Sequence, residues 1–202
     1  MAPLTADLSG RGYGTWNLEY RGVGSSGGGW PETAKDVAAG IDHLAVISAE
    51  YGLDLDKVIM IGHSAGGQLA LWPAARDHMP EGAPGRDPVV RPAAVVSLSG
   101  VNDLESADQN NLGAGAVERF LGRNVDRNAL YLESSPAALL PLGIPVLLVH
   151  GDEDGNVPIS QSNDYASKAR EAGEVVEVLT IPGGDHFVVI DPSSDAWTDV
   201  VE

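Results

Sequence analysis

The stretch Val58-Ile59-Met60-Ile61-Gly62-His63-Ser64-Ala65-Gly66-Gly67, followed by Gln68-Leu69-Ala70-Leu71-Trp72, decides the predicted fold. A short apolar run precedes a serine flanked by glycines, and small and apolar residues follow it. This order predicts a strand, a sharp turn and a helix, and Gly62-x-Ser64-x-Gly66 has the spacing of a nucleophile elbow. Such a turn strains the serine backbone, and we expect glycines two residues before and after it to let strand and helix approach. Ser64 is therefore a candidate nucleophile, and the Ala65 N–H is a candidate donor to an oxyanion.

The composition is that of a globular protein with an acidic surface. The chain has 202 residues, 43% of them hydrophobic, and a formal net charge of −17 from 29 acidic and 12 basic side chains. This charge repels phosphate groups, which argues against nucleic acids and anionic membranes as partners. Because no membrane span and no signal peptide are visible, a cytoplasmic location is expected. The absence of cysteine excludes disulfides, thiol nucleophiles and thiolate metal ligands.

Strands alternate with helices along the chain, which predicts an α/β fold with a doubly wound, mostly parallel sheet of about five strands. The strands are expected over residues 15–20, 57–62, 93–98, 144–149 and 174–181. Helices are expected over 2–10, from Pro31 to Ser48, from the elbow to Pro73, over 159–172 and around Trp197. One domain over residues 1–202 is expected, with a small lid-like excursion at about 101–143 that contains one short helix near 117–121.

An elbow serine needs a base and an orienting acid from the carboxyl ends of later strands, in the chain order Ser, Asp, His. The stretch His150-Gly151-Asp152-Glu153-Asp154-Gly155-Asn156-Val157-Pro158 follows a buried strand and offers two such acids, Asp152 and Asp154. His186 follows the next strand in a glycine-rich turn that can direct it back toward the serine. His186 is therefore the candidate base, and the residue types alone leave both aspartates open as the acid.

Two further histidines have less direct predicted roles. His63 is adjacent to the nucleophile and points away from it in an elbow, so we expect it to pack beneath the site and border the substrate. His150 ends a buried strand and is expected to make a structural hydrogen bond. No metal is predicted, because the three histidines lack the spacing of a metal site and Asp152-x-Asp154-x-Asn156 lacks the later glycine and glutamate of a calcium loop.

Several stretches together resemble α/β-hydrolases of the esterase/lipase group, near the prolyl-oligopeptidase-like and arylformamidase-like esterases. The resemblance runs from about Tyr13 to Glu202 and is carried by Glu19-Tyr20-Arg21, Gly62-His63-Ser64-Ala65-Gly66-Gly67, Ser135-Pro136, His150-Gly151-x-x-Asp154-x-x-Val157-Pro158 and Asp185-His186-Phe187. In that family the acid is the aspartate of the His-Gly-x-x-Asp motif, which implies Asp154 here. Members also carry an upstream His-Gly-Gly motif that completes the oxyanion hole, and this sequence contains none, so it resembles an N-terminally shortened form of the fold.

The expected function is hydrolysis of a small-molecule carboxylic ester without a cofactor. Ser64 would attack the acyl carbon, His186 would transfer the proton, and Asp154 would orient the imidazole. Trp30 and Phe120 lie in loops where substrate would enter, and they join His63 as candidate substrate-binding residues. Two alternatives stay open: an amide hydrolase acting on an arylformamide or a short peptide, and a weakly active hydrolase-like domain used for binding.

The resemblance also predicts a gap in the sheet. In the family's strand order, the strand that carries the His-Gly-Gly motif lies between the strands here at 15–20 and 57–62. Without it, those two strands pair directly, or the gap is filled by another chain or stays open. An open gap exposes unpaired backbone groups, so we expect weaker turnover and a tendency to form homo-oligomers.

Overall fold

Four parallel strands form the central sheet of the computed structural model, which describes residues 1–201. They are β1 (Ile59–His63), β2 (Ala94–Leu98), β3 (Val146–Gly151) and β4 (Val176–Ile181), and they lie side by side in that order. The register places Gly62 beside Ser97, and Ser97 beside Leu148. Because every pair is parallel, the carboxyl ends of all the strands meet at one edge of the sheet. The predicted α/β class with a parallel sheet is confirmed.

The helices of the described residues occupy the crossovers and both ends of the chain. They are α1 (Ala2–Gly10), α2 (Glu32–Asp42), α3 (Leu44–Tyr51), α4 (Ala65–Leu71), α5 (Leu104–Gln109), α6 (Ala116–Leu121), α7 (Arg127–Ser134), α8 (Ser160–Glu171) and α9 (Asp195–Val201). Within residues 1–201 none of them has the length and apolar character needed to cross a membrane. As predicted, α4 stops just before Pro73, whose ring cannot continue an α-helix.

Two apolar clusters cover the two faces of the sheet. One contains residues of α2, α4 and α8 packed against strand residues such as Leu148. The other joins Leu4 of α1 and Trp197 of α9 to Leu98 and Val149. The crossovers that carry α4 and α8 step the same way across the sheet, so their common right-handedness places both helices on one face. The two ends of the chain therefore supply the helices of the other face.

Residues 15–20, predicted as a strand, have no regular secondary structure, so this prediction is wrong. Within the described residues β1 pairs only with β2, and the segment lies along α2. Trp16 Nε1 donates to the Gly40 carbonyl at 3.0 Å, and the Arg21 guanidinium bonds both Asp36 carboxylate oxygens at 2.7 and 2.8 Å. A Cβ on Gly40 would come within 2.6 Å of the Leu18 side chain. The alternating pattern thus reflects packing of one side of the segment on a helix.

Two helical predictions also need correction. The helix expected from Pro31 to Ser48 is divided at His43 into α2 and α3, with His43 exposed as expected. The excursion at 101–143 contains α5, α6 and α7 rather than one helix, and these share a buried apolar cluster. Helices of six to eight residues are too short to produce a clear periodic pattern. Asp103 and Asp126 nevertheless cap two of them by accepting a backbone N–H.

Candidate active site

Ser64 lies in the turn between β1 and α4, at the carboxyl edge of the sheet. Its backbone has φ 58° and ψ −123°, a strained conformation for a residue with a Cβ. The Ser64 N–H donates to the Leu98 carbonyl at 2.9 Å, and the Ser64 carbonyl accepts from the Val101 N–H at 3.2 Å. These bonds to β2 and the residues after it hold the turn in place. The strand, sharp turn and helix predicted around Ser64 are all present.

The glycines around the elbow differ in what requires them. A Cβ on Gly62 would lie 1.9 Å from the Gly66 carbonyl oxygen, so the prediction for Gly62 is confirmed. The prediction for Gly66 is wrong, because a Cβ there would meet only the Tyr20 hydroxyl, at 3.9 Å. Gly67 is the second required glycine, since a Cβ there would lie 2.6 Å from Ser97 Oγ. Sequence analysis missed Gly67 because its constraint comes from β2.

His186 and Asp154 are joined by a hydrogen bond of 2.7 Å between Nδ1 and Oδ2. The Asp154 side chain is fully buried, and its Oδ1 accepts from the backbone N–H groups of Asn156 and Val157 at 2.8 and 2.9 Å. Burial opposes ionisation, but hydrogen bonds from the Val157 N–H and from His186 outweigh it and hold the pKa of Asp154 below its ordinary value. An ionised Asp154 can only accept, so His186 carries a proton on Nδ1 and exposes Nε2 for proton transfer.

Asp152, the other candidate acid, has a different partner. Its exposed side chain accepts from the Gly183 N–H at 2.6 Å. This bond joins the loop after β3 to the turn after β4. Of the two aspartates that the sequence left open, only Asp154 bonds His186.

His63 connects the elbow to His186. Its Nε2 lies 2.8 Å from the His186 backbone carbonyl, and the two rings have centroids 4.5 Å apart. Burial lowers the pKa of His63, so at neutral pH the ring is uncharged and donates its Nε2–H to this carbonyl. Within residues 1–201 the only side-chain hydrogen bond of His186 is to Asp154. In the described part of the chain no hydrogen bond joins the Ser64 hydroxyl to the His186 ring. Such bonds often form or tighten only when substrate binds.

Trp30 and Phe120, predicted to contact substrate, pack against each other. Their rings meet edge-on with centroids 6.3 Å apart, and the Trp30 backbone N–H donates to the Phe120 backbone carbonyl at 2.7 Å. Trp30 also meets the Trp72 ring edge-on. These contacts hold the excursion to the start of α2, and none of them involves Ser64, Asp154 or His186. The structure therefore brings His63 to the candidate site but does not join Trp30 or Phe120 to it.

A buried polar cluster behind Asp154 was missed from the sequence. Its members are fully buried: Ser97, Asn102, His150 and Ser162. His150 is the member nearest the acid, with Nε2 3.3 Å from Asp154 Oδ2. The one signal in the sequence was the place of His150 at the end of a buried strand. Asn102 and Ser162 lie in ordinary polar stretches, so no local pattern could have found them.

An open groove of about 1230 Å³ runs along the free edge of β1 and reaches the elbow. One wall is the segment 12–18, and the other is β1 with Gly62, His63 and Gly66 at its end. The predicted gap between residues 15–20 and β1 is thus present, and it is open in the described part of the chain. The groove gives access to the surroundings of Ser64 from the edge of the sheet.

The sequence profile of the BD-FAE family matches residues 1–169. The chain belongs to the BD-FAE family. The match includes Ser64 and Asp154 and ends within α8, before His186. Esterase LipQ of Mycobacterium tuberculosis is 32% identical to this BD-FAE chain over 165 residues, which are 78% of the chain and 39% of LipQ. The chain spans about two fifths of the length of LipQ and of two further esterase relatives from Mycobacterium tuberculosis, LipM and LipC.

Solved structures share the fold of this BD-FAE chain. The carboxylesterase Cest-2923 from Lactobacillus plantarum superposes with a TM-score of 0.80 at 19% identity, over 99% of the chain and 76% of that structure. An acetyl ester-xyloside bifunctional hydrolase from Caldicellulosiruptor lactoaceticus gives a TM-score of 0.72 at 22% identity, over 91% of the chain and 67% of that structure. The fold is therefore that of the α/β-hydrolases of the esterase/lipase type, as the motifs indicated.

Proposed function

We propose that this chain is a serine hydrolase that cleaves carboxylic esters through an acyl-enzyme intermediate. The observation that carries the proposal is the buried 2.7 Å hydrogen bond between His186 and Asp154. The hydrogen bond of His63 to the His186 carbonyl brings this pair near the strained turn of Ser64. The relatives named as esterases or carboxylic ester hydrolases support the same chemistry. The nucleophile Ser64, the acid Asp154 and the base His186 also follow one another in the chain order that α/β-hydrolases use.

In this mechanism His186 Nε2 takes the proton of the Ser64 hydroxyl as Oγ attacks the acyl carbon. Asp154 keeps the Nδ1–H in place and stabilises the imidazolium. The tetrahedral oxyanion accepts a hydrogen bond from the Ala65 N–H, since the first residue of α4 has no intrahelical acceptor for its N–H. His186 then protonates the departing alcohol. Water, deprotonated by His186, cleaves the acyl-enzyme to the carboxylic acid and restores Ser64.

The test uses p-nitrophenyl acetate, butyrate and octanoate together with a fluorophosphonate label. We expect hydrolysis and labelling by the wild-type chain, a loss on the order of 10³-fold or more in Ser64→Ala, and no change in the matched surface variant Ser167→Ala. Wild-type activity equal to that of Ser64→Ala, with no label on Ser64, would overturn the proposal. Activity on the matching p-nitroanilides or on an arylformamide would distinguish an amide hydrolase from an ester hydrolase.

Substrate preference is proposed to depend on the excursion and the loop before α2. The variant Phe120→Ala removes the ring contact with Trp30, so we expect it to change the ratio of rates for short and long acyl chains. An unchanged ratio would show that these aromatic residues do not contact the substrate. A single-domain organisation, a cytoplasmic location, a small-molecule ester substrate and a possible homo-oligomer stay predictions from the sequence.

A further inference from the structure

The buried polar cluster behind Asp154 is a continuous chain of hydrogen bonds. It begins at Ser97 on β2, whose hydroxyl donates to Asn102 Oδ1 at 2.8 Å. Asn102 Nδ2 donates to Ser162 Oγ at 3.3 Å, and Ser162 Oγ lies 2.7 Å from His150 Nδ1. These hydrogen bonds therefore run from β2, through the start of α8, to the end of β3.

The partners of His150 settle which nitrogen carries its proton. Nε2 lies 2.9 Å from the Val157 carbonyl, which can only accept, so Nε2 carries the hydrogen. Burial lowers the pKa of His150, and the uncharged ring leaves Nδ1 as an acceptor for the Ser162 hydroxyl. The second neighbour of Nε2 is Asp154 Oδ2, at 3.3 Å. Each donated hydrogen in this network thus points to the next side chain on the way to Asp154.

We propose that His150 is a positioning residue for Asp154, holding the carboxylate through an Nε2–H shared between the Val157 carbonyl and Asp154 Oδ2. This inference rests on the proposed function. Asp154 Oδ2 then faces two imidazoles, His150 and His186, while Oδ1 faces two backbone N–H groups. With both oxygens held, the carboxylate cannot rotate away from His186. The donor from His150 also draws charge from Oδ2, the atom that accepts from His186.

The end of the hydrogen-bond network at Ser97 reaches the elbow. Ser97 lies against Gly67 in α4, where a Cβ would approach Ser97 Oγ to 2.6 Å. It also lies against Gly100, where a Cβ would come within 2.0 Å of the same hydroxyl. The same buried network therefore touches the helix that follows Ser64 and the carboxylate that orients the base. It sets the position of nucleophile and acid relative to each other.

Few ionisable groups face this network. His186 and His150 face Asp154, and His63 faces His186 from the elbow. Asp185 is exposed and bonds the Phe187 and Val188 N–H groups, and the exposed Asp152 bonds Gly183. Replacement of His150 by an uncharged residue therefore removes one donor from Asp154 without removing a charge at neutral pH.

The experiment compares His150→Leu, His150→Gln and Ser162→Ala with the wild-type chain. We expect His150→Leu to lower kcat by about tenfold or more at nearly unchanged KM, because a displaced acid impairs the chemical step rather than substrate binding. In proton NMR the downfield resonance of the His186 Nδ1–H, which reports the bond to Asp154, should shift, since Asp154 no longer shares its Oδ2 with His150. Glutamine can still donate, so His150→Gln should restore part of both effects, and Ser162→Ala should fall between it and the wild type.

An unchanged kcat and an unchanged His186 Nδ1–H resonance in a folded His150→Leu would overturn the proposal. If that variant does not fold, the same two measurements on His150→Gln and Ser162→Ala decide, and wild-type values in both would overturn it equally. The NMR measurement needs no turnover. An inactive, unlabelled wild-type chain would therefore count against the proposed function, whereas an unchanged His186 Nδ1–H resonance counts against the positioning role of His150.

Discussion

At the residue scale, two aspartates two positions apart have opposite surroundings. Asp154 is buried and bonded to His186, whereas Asp152 is exposed and bonded only to a backbone N–H of the next turn. The difference follows from the loop after β3, in which the Asn156 and Val157 N–H groups turn back onto Asp154. A fixed, ionised carboxylate is what keeps an imidazole in the tautomer that general-base catalysis needs.

We expect Asp154→Asn to lower kcat by about 10³- to 10⁴-fold, because an amide at this position favours the wrong tautomer of His186. Asp152→Asn is the matched control, since its amide oxygen can still accept from Gly183 and the charge change is the same. Steady-state kinetics on p-nitrophenyl acetate measure both. A larger loss in Asp152→Asn than in Asp154→Asn would show that the acid has been assigned wrongly.

The buried histidines predict how stability depends on pH. Burial lowers the pKa of His150 and His63 from 6.5 in the folded chain, so the unfolded chain binds protons first as the pH falls. Their contribution to stability is present above 6.5 and is lost as the pH drops toward the folded pKa. For the fully buried His150 the slope is up to about 1.4 kcal/mol per pH unit.

Urea unfolding at about pH 7.5 and about pH 5.5 measures this loss. We expect the wild-type chain to lose stability over that interval and His150→Gln to lose less, because glutamine does not titrate. Asp154 does not interfere, since its pKa lies below 3.8 and its contribution is lost only in stronger acid. Equal losses in the two proteins would contradict the buried, uncharged state of His150.

At the element scale, the carboxylate of Asp42 holds three segments of the chain together. Asp42, at the end of α2, accepts from Arg76 Nη1 and Nη2 at 3.1 and 2.6 Å and from the Val89 and Val90 N–H groups at 3.0 and 3.1 Å. The Arg76 side chain is 2% exposed, and its Nε donates to the Gly85 carbonyl. The proline-rich loop before β2 is thereby attached to α2 and to the turn after α4.

Because a buried guanidinium without its partner is costly, we expect Asp42→Ala to lower the free energy of unfolding by about 3 kcal/mol. The control is Lys35→Ala, which removes an exposed ion pair with Glu32 in the same helix and should change stability far less. Urea unfolding of the three proteins at neutral pH provides the measurement. A small effect of Asp42→Ala would show that the loop is held mainly by its apolar contacts.

At the scale of the whole molecule, the outer edge of β1 is unprotected within the described residues. Within residues 1–201 β1 pairs only on the side of β2, and the open groove follows its other side. Large apolar side chains that border the groove are exposed: Tyr13, Trp16, Tyr51 and Ile59. A bare edge with apolar surroundings favours pairing with another strand. The edge thus offers a physical route to the homo-oligomer that the sequence predicted.

We expect the mass in solution to rise with concentration, and Ile59→Lys to shift the chain toward the monomer because a charge on an edge strand opposes pairing. Val46→Lys is the matched control, since Val46 is exposed on α3 and its side chain does not line the groove. Sedimentation or light scattering over a concentration series measures both. A wild-type chain that is monomeric throughout, or equal effects of the two variants, would contradict association through β1.

The sequence by itself determined β1 to β4 and the elbow around Ser64, because apolar periodicity and turn chemistry are local properties of the chain. Only the tertiary structure decided that Gly67 rather than Gly66 needs to be small, and that residues 15–20 lie on α2 instead of pairing as a strand. It also decided which aspartate bonds His186, and that His63 contacts His186 while His150 contacts Asp154. These outcomes depend on contacts between distant residues, such as the 123 positions that separate His63 from His186, and no local pattern encodes them.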